Sequence, residues 1–407
     1  MKYSITVLSV LMLFVGCKQN TQNVSLSDGV WLVELDVMDN QVLPFNLKVN
    51  KKDDGSYTMQ IFNAEEVIDV DEIEIKGDSI IMQTPVFEGY LAGTFTENSI
   101  KGQFIKESLD RIVPFNAEYG TEDRFETKNE RTDGNVTGIW ETYFSPDLDE
   151  EYIGKGIFLQ EDNRVTGTFR TTTGDYRYLD GILDGDSLKL SAFDGAHAFL
   201  FNAKVTDSSM NGVFYSGNHF KEPFVAARND GFELPDPDSL TFLNEGYEKL
   251  AFTFPDVKGN MISLSDEKYQ GKVVVVQLMG TWCPNCLDET KFLVDYLEDN
   301  NDIEVIGLAF ESAKTKEIAI KGIERLKDRI EVNYPILLAQ YGTYDKQKAQ
   351  EKLPMLNHVL SYPTTIFMDK KGNVRKIHTG FNGPATGEKF VEFKKNFNEL
   401  MTELVSE

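Results

Sequence analysis

Over residues 27–231 the hydrophobic pattern has a period of two. Trp31, Val33, Leu35 and Val37 alternate with polar residues or residues of the opposite face; so do Phe45, Leu47 and Val49, then Tyr57, Met59 and Ile61. Turn signals such as Asp54-Gly55 separate the runs, which predicts antiparallel strands. Past about Leu250 the pattern changes. A continuous apolar run over 273–278 predicts a buried strand, and 303–310, 334–339 and a run opening at Pro363 predict three more. A hairpin carries the last of these into a further strand over 374–378. Helical spacing covers 286–300, about 315–329 and about 345–356. A last helix aligns Phe390, Phe393, Phe397, Leu400 and Leu404 on one face. Strands alternating with helices predict an α/β sheet covered on both faces. The fold class is therefore multidomain: all-β first, α/β second.

The β-rich part repeats itself at a spacing of roughly 109 residues. Trp31 answers to Trp140, the turn at Gly77-Asp78-Ser79 to Gly185-Asp186-Ser187, and Asn98-Ser99-Ile100 to Ser208-Ser209-Met210. Two similar antiparallel sheets or barrels, or two halves of one, are expected. The division is 1–16 leader, 17–27 tether, 28–127 first β-module, 132–232 second β-module, 233–247 linker and 248–407 α/β domain. Pro235 and Pro237 mark the linker, and 240–249 is read as a short helix leading out of it. No catalytic constellation stands out in the β-modules. Asp147 to Glu151 reads as a solvated loop, and Trp31 and Trp140 read as core anchors.

The chain has 407 residues and a net charge of −25, which argues against nucleic-acid binding. Residues 1–17 are a lysine-bearing start, an apolar run over 5–15 and then Gly16-Cys17. The run is too short for a membrane span and has signal-peptide length. The segment resembles a bacterial lipoprotein signal, although Phe14 replaces the usual leucine. That resemblance implies a lipidated Cys17 and a membrane anchor, with 18–23 as a polar tether. The other reading is a plain secretory signal.

The chain has three cysteines, and the other two stand in Trp282-Cys283-Pro284-Asn285-Cys286, just after the 273–278 strand. Two thiols this close can form a disulfide, and only one of them is expected to be exposed. Pro284 suits the first position of a helix. Cys283 then sits at the positive end of the helix, where free N–H groups favour the thiolate. Such motifs bring the pKa to about 7, against ~8.5 for a free cysteine. Zinc would need four ligands. With four scattered histidines (His197, His219, His358, His378) and Cys17 spoken for, no metal site is expected. No cofactor is called for either.

From about Leu250 to the end, roughly two fifths of the chain, the sequence resembles the thioredoxin superfamily, and within it the TlpA-like thiol–disulfide oxidoreductases. The motifs are W-C-P-x-C, then Tyr362-Pro363-Thr364-Thr365 and the turn Asp369 to Gly372. The resemblance implies a cis Tyr362–Pro363 bond against the dithiol. It implies Cys283 as nucleophile, Cys286 as resolving thiol, and Trp282, Pro284, Tyr362 and Pro363 at the substrate. In thioredoxins an acidic residue stands six positions before the first cysteine; here that place is Gln277. Glu311, after the 303–310 strand, is the candidate replacement in proton transfer, the alternative being an ordinary residue before a helix.

The expected protein is an envelope oxidoreductase facing the periplasm. It reduces disulfide-bearing envelope proteins and is recharged by an upstream thiol donor. Two alternatives stand beside it. A thiol peroxidase is suggested by the Phe254-Pro255 entry, and a non-enzymatic binding lipoprotein would work through its β-modules.

Overall fold

The alternating region folds into two antiparallel sheets of nine strands each. The computed structural model describes residues 25–128 and 134–407. The first sheet is a meander from Gly29–Asp36 to Arg111–Tyr119, and its first and last strands pair, with Trp31 opposite Tyr119. It stays open between Glu66–Val70 and Glu72–Lys76. The second runs from Gly138–Phe144 to Phe220–Arg228. There Arg164–Thr171 pairs with both Tyr152–Glu161 and Leu179–Asp184, so the ring closes and only Gly174–Asp175 is left outside it.

The repeat is visible in side-chain bonds. Trp31 Nε1 donates to Ser27 O (3.1 Å) and Trp140 Nε1 to Val136 O (2.9 Å). Both indoles are fully buried. Thr96 and Ser99 share a hydroxyl bond of 2.7 Å in one turn, as do Thr206 and Ser209 in its counterpart. Period-two patterning sends alternate residues inward. Phe144, Phe169, Phe201 and Phe224 fill the second ring. The first sheet's apolar interior retains a void of only about 10 Å³, close to the minimum for one water. That interior is core and has no room for a ligand.

The C-terminal domain has the element order expected of a thioredoxin fold. Its sheet runs Ile336–Gln340, Ile303–Phe310, Val273–Met279, Thr364–Met368, Val374–Thr379, the first three parallel and the last two antiparallel to their neighbours. Every residue of the central strand is buried. The helices are α1 (Pro284–Asp299), α2 (Lys316–Arg329), α3 (Lys346–Lys352) and α4 (Glu388–Ser406). The α4 stripe meets α1, with Phe397 4.9 Å from both Phe292 and Tyr296.

Two expectations need correction. Residues 240–249 form no helix: a 3-10 turn at Pro237–Ser239 gives way to extended chain. Asn244 N donates to Met355 O (2.8 Å) and Leu243 bridges Leu356, so pairing with a distant segment overrides local preference. Helix α3 ends at Lys352, well short of residue 356, because Pro354 disfavours helical backbone in the residue before it.

The β-sheets and the α/β domain share packing. Val86, Phe87 and Ala196 belong to the C-terminal core, while Phe193 of the second sheet stacks on Phe45 of the first at 4.4 Å. At the opening of the first sheet, Arg325 and Arg329 of α2 pair with Glu72 (2.9 Å) and Asp71 (2.7 Å).

Candidate active site

The strand Val273–Met279 delivers the chain to the Trp282-Cys283-Pro284-Asn285-Cys286 turn at the head of α1. Cys283 is the N-cap and Pro284 follows as the first helical residue. The cysteines are disulfide-bonded, with Cα atoms 5.2 Å apart. Cys286 N donates to Cys283 Sγ (3.1 Å), so a helix-terminal N–H already points at the first sulfur. On reduction the same N–H would stabilise a thiolate there. Cys283 Sγ also lies 3.5 Å from the carbonyl oxygen of Tyr362. The Tyr362–Pro363 bond is cis.

Trp282 is held in place beside the cysteines. Its Nε1 donates to Phe310 O (2.9 Å), and its ring lies 5.0 Å from Tyr344 and 5.8 Å, edge-on, from Tyr362. Glu311 lies just beyond the Ile303–Phe310 strand, against the residue two before Cys283. Its carboxylate accepts from Thr281 N (2.8 Å) and Thr281 Oγ1 (2.7 Å), two residues before Cys283. Burial pushes it up to about 7.

A second carboxylate was not singled out from sequence. Glu289 lies one turn into α1 beyond Cys286 and is 1% exposed. It accepts from Gln277 Nε2 (2.9 Å) and Thr365 Oγ1 (2.5 Å), and burial pushes it up to about 7. Gln277 also donates to Cys286 O (3.3 Å). The position expected to carry an acid thus holds an amide that orients one. The available signal was the i, i+3 spacing of Cys286 and Glu289, which puts both on one helix face.

One expectation about the thiols does not hold. Neither cysteine is exposed: Cys283 is at 6% and Cys286 at 0%. The second β-sheet reaches over the redox turn. Its hairpin between Arg164–Thr171 and Gly174–Asp175 lies on Asn285, whose Nδ2 donates to Asp175 O (3.2 Å). A side chain at Gly174 would collide with that amide. Ser361 Oγ, two residues before Pro363, donates to Thr173 O (2.8 Å). At Gly380 (φ +76°) a Cβ would come within 2.9 Å of the Thr173 carbonyl carbon. The hairpin is seated between the two loops that carry the dithiol and the proline. Cys17 lies outside the described residues, and among those residues no cluster of His, Cys, Asp and Glu could hold a metal ion.

Residues 246–377 match the AhpC/TSA family. The thioredoxin-like protein YneN of Bacillus subtilis (strain 168) is 29% identical over 139 residues, 34% of this chain and 73% of that protein. The thiol-disulfide oxidoreductase ResA of Geobacillus kaustophilus (strain HTA426) is 27% identical over 131 residues, 32% of this chain and 66% of that protein. Among solved structures, a thiol-disulfide oxidoreductase from Bacteroides fragilis NCTC 9343 is 18% identical with a TM-score of 0.27, covering 36% of this chain and 99% of that one.

The buried carboxylates give the fold a pH dependence with a definite sign. Glu289 and Glu311 titrate near 7 in the folded chain, against an ordinary value of 4.5. Between those values the native state keeps protons that the unfolded chain has released. Their contribution to stability is therefore full below about 4.5 and lost as pH rises through about 7. The thermal midpoint of the oxidised protein should fall over this window, and Glu289→Gln should flatten the fall. Scanning calorimetry of both proteins across the window checks it; parallel curves would contradict it.

Proposed function

We propose that this thioredoxin-like oxidoreductase reduces disulfides of partner proteins in the bacterial cell envelope, with Cys283 as nucleophile and Cys286 as resolving thiol. The observation that carries the reading is the bond from Cys286 N to Cys283 Sγ at the N-terminus of α1, with Cys286 deeper in the helix. Residues 248–407 are taken as the catalytic unit. The Cys283 thiolate attacks one sulfur of a partner disulfide, forming a mixed disulfide and expelling the other sulfur as a thiolate. Cys286, deprotonated, attacks Cys283 and releases the second partner thiol. Two electrons pass to the partner, and the Cys283–Cys286 bond remains until an upstream thiol donor reduces it. Glu311 and Glu289, both titrating near 7, are suited to accept and return the protons. Trp282, Pro284, Tyr362 and Pro363 shape the ground on which the partner's chain lies.

The envelope placement rests on residues 1–17 and a lipid on Cys17. Among the described residues no helix is long and apolar enough to cross a membrane; the anchor in this reading is the lipid on Cys17.

Cys283→Ser should abolish disulfide reduction, and Cys286→Ser should trap mixed disulfides with partners. Non-reducing electrophoresis and differential alkylation check the pair; faster alkylation of Cys286 than of Cys283 in the reduced wild type would reverse the roles. Mass spectrometry of the mature N-terminus should find Cys17 first and acylated. Cleavage elsewhere with an unmodified Cys17 would remove the anchor from the account.

A further inference from the structure

The three folded units meet in a cleft of about 300 Å³ beside Trp282. Its wall has an unusual charge for a chain of net charge −25. Lys106 and Arg111 come from the first β-sheet, His197 and His219 from the second, and Trp282 and Tyr344 from the C-terminal domain. Among the described residues no carboxylate lines it. Lys106 Nζ donates to Ala196 O (2.9 Å), and neither Lys106 nor Arg111 has an ion-pair partner among the described residues. Two acids outside the lining act on Lys106: Glu88 and, more weakly, Asp194, and Asp194 is engaged by Arg177 (3.5 Å) and His197 (3.4 Å). His197 meets Asp194 Oδ2 through Nδ1, so that nitrogen serves the acid and not the cleft. The other walls are aromatic, including Phe199 and Phe214. Partial burial first, and then Arg111, Lys106 and His197, push His219 down to about 4.

We propose that this cleft is the substrate-recognition site of the oxidoreductase, and that it takes the carboxylate-bearing, peptide-sized segment that carries the partner's disulfide, for which small anionic disulfides serve as probes. The proposal rests on the dithiol chemistry set out above and adds the identity of what the dithiol meets. Burying Lys106 without an ion-pair partner, beside the half-buried Arg111, is unfavourable unless a ligand supplies the charge. The volume fits a small ligand or one peptide segment, and aromatic walls with a few polar groups are usual in such sites. Trp282 joins the cleft to Cys283, its neighbour in sequence. The β-modules would then supply most of the recognising groups, and the C-terminal domain the chemistry. The exchange balances as before: the substrate disulfide is the oxidant, the reduced Cys283–Cys286 pair is the reductant, and the substrate leaves as two thiols.

The test uses the reduced full chain and three aliphatic disulfides of different charge: glutathione disulfide (anionic), bis(2-hydroxyethyl) disulfide (neutral) and cystamine (cationic). Stopped-flow oxidation of the dithiol should rank them anionic, neutral, cationic, with the ranking compressed by added salt. Arg111→Glu should lower the ratio of anionic to neutral rates about tenfold, and Arg111→Gln by less. A second reading needs no redox chemistry: glutathione disulfide titrated into the oxidised full chain should bind, and more weakly to Arg111→Glu. If all three disulfides are reduced without charge order, or the ratio ignores Arg111, the cleft assignment is overturned while the oxidoreductase stands. If none is reduced yet glutathione disulfide binds through Arg111, the cleft is an anion site that does not serve the dithiol and the proposal is overturned, while reduction of a protein disulfide such as that of insulin decides whether the oxidoreductase reading survives.

Discussion

A single buried guanidinium ties this molecule together. Arg177 stands in the connection between Gly174–Asp175 and Leu179–Asp184 of the second β-sheet, at a left-handed φ of 63°, a costly conformation for a side-chain-bearing residue. Its Nη2 meets Glu66 of the first sheet at 2.6 Å, its Nη1 meets Asp288 of α1, and its Nε faces Asp194 at 3.5 Å. Asp175 completes the group by accepting from Arg177 N (2.9 Å) and from Gly383 N (2.8 Å) in the C-terminal domain. Burial drives Asp175 up to about 6 and raises Glu66, against Arg177's opposing pull. Burial also opposes the charge of Asp194, yet His197 and Arg177 bring it to about 2. Removing one partner from such a buried group typically costs about 3–5 kcal/mol, because the remaining charges have no water to turn to. A surface ion pair is worth a fraction of that. The cluster therefore outweighs exposed pairs such as Lys314–Asp110 in fixing the units' relative positions.

That constraint bears directly on the dithiol. Asp288 is two residues beyond Cys286 in α1, and Asp175 is in the return strand of the hairpin that lies on Asn285. The same few residues join the modules and cover the redox turn. Cys283, in the turn that the hairpin covers, is buried, although its own motif would leave it open. The β-region is thereby a wall of the active site as well as a support for it, and it narrows what can approach the sulfur.

The sequence carried the local parts of this picture. Cysteine spacing, Pro284 at the helix start, Glu311 after its strand and the period-two alternation are short-range signals, and the structure places these residues as their spacing implies. The duplication was legible because Trp31 and Trp140 perform the same task, each bonding a carbonyl four residues back. What was not legible is long-range. Arg177 and Asp288 are 111 residues apart, and nothing in either neighbourhood marks them as partners. The same holds for residues 240–249, whose local helical preference gave way to pairing with Leu356. Glu289 was missed because a glutamate in a helix usually faces water. Only the fold shows Gln277 and Thr365 enclosing it. Closure of the second ring but not the first turns on which strand Arg164–Thr171 finds beyond its hairpin, which alternation alone does not decide.

The central claim is that the β-region is part of the redox site, held there by Arg177. The most direct measurement is the rate at which iodoacetamide alkylates Cys283 in the reduced full chain. It would be compared among wild type, Arg177→Lys and Arg177→Met, with circular dichroism confirming retained β-structure. Releasing the hairpin should raise the rate in Arg177→Met by about tenfold or more, since local opening then needs little free energy, with Arg177→Lys in between. Equal rates in folded wild type and Arg177→Met would contradict the account.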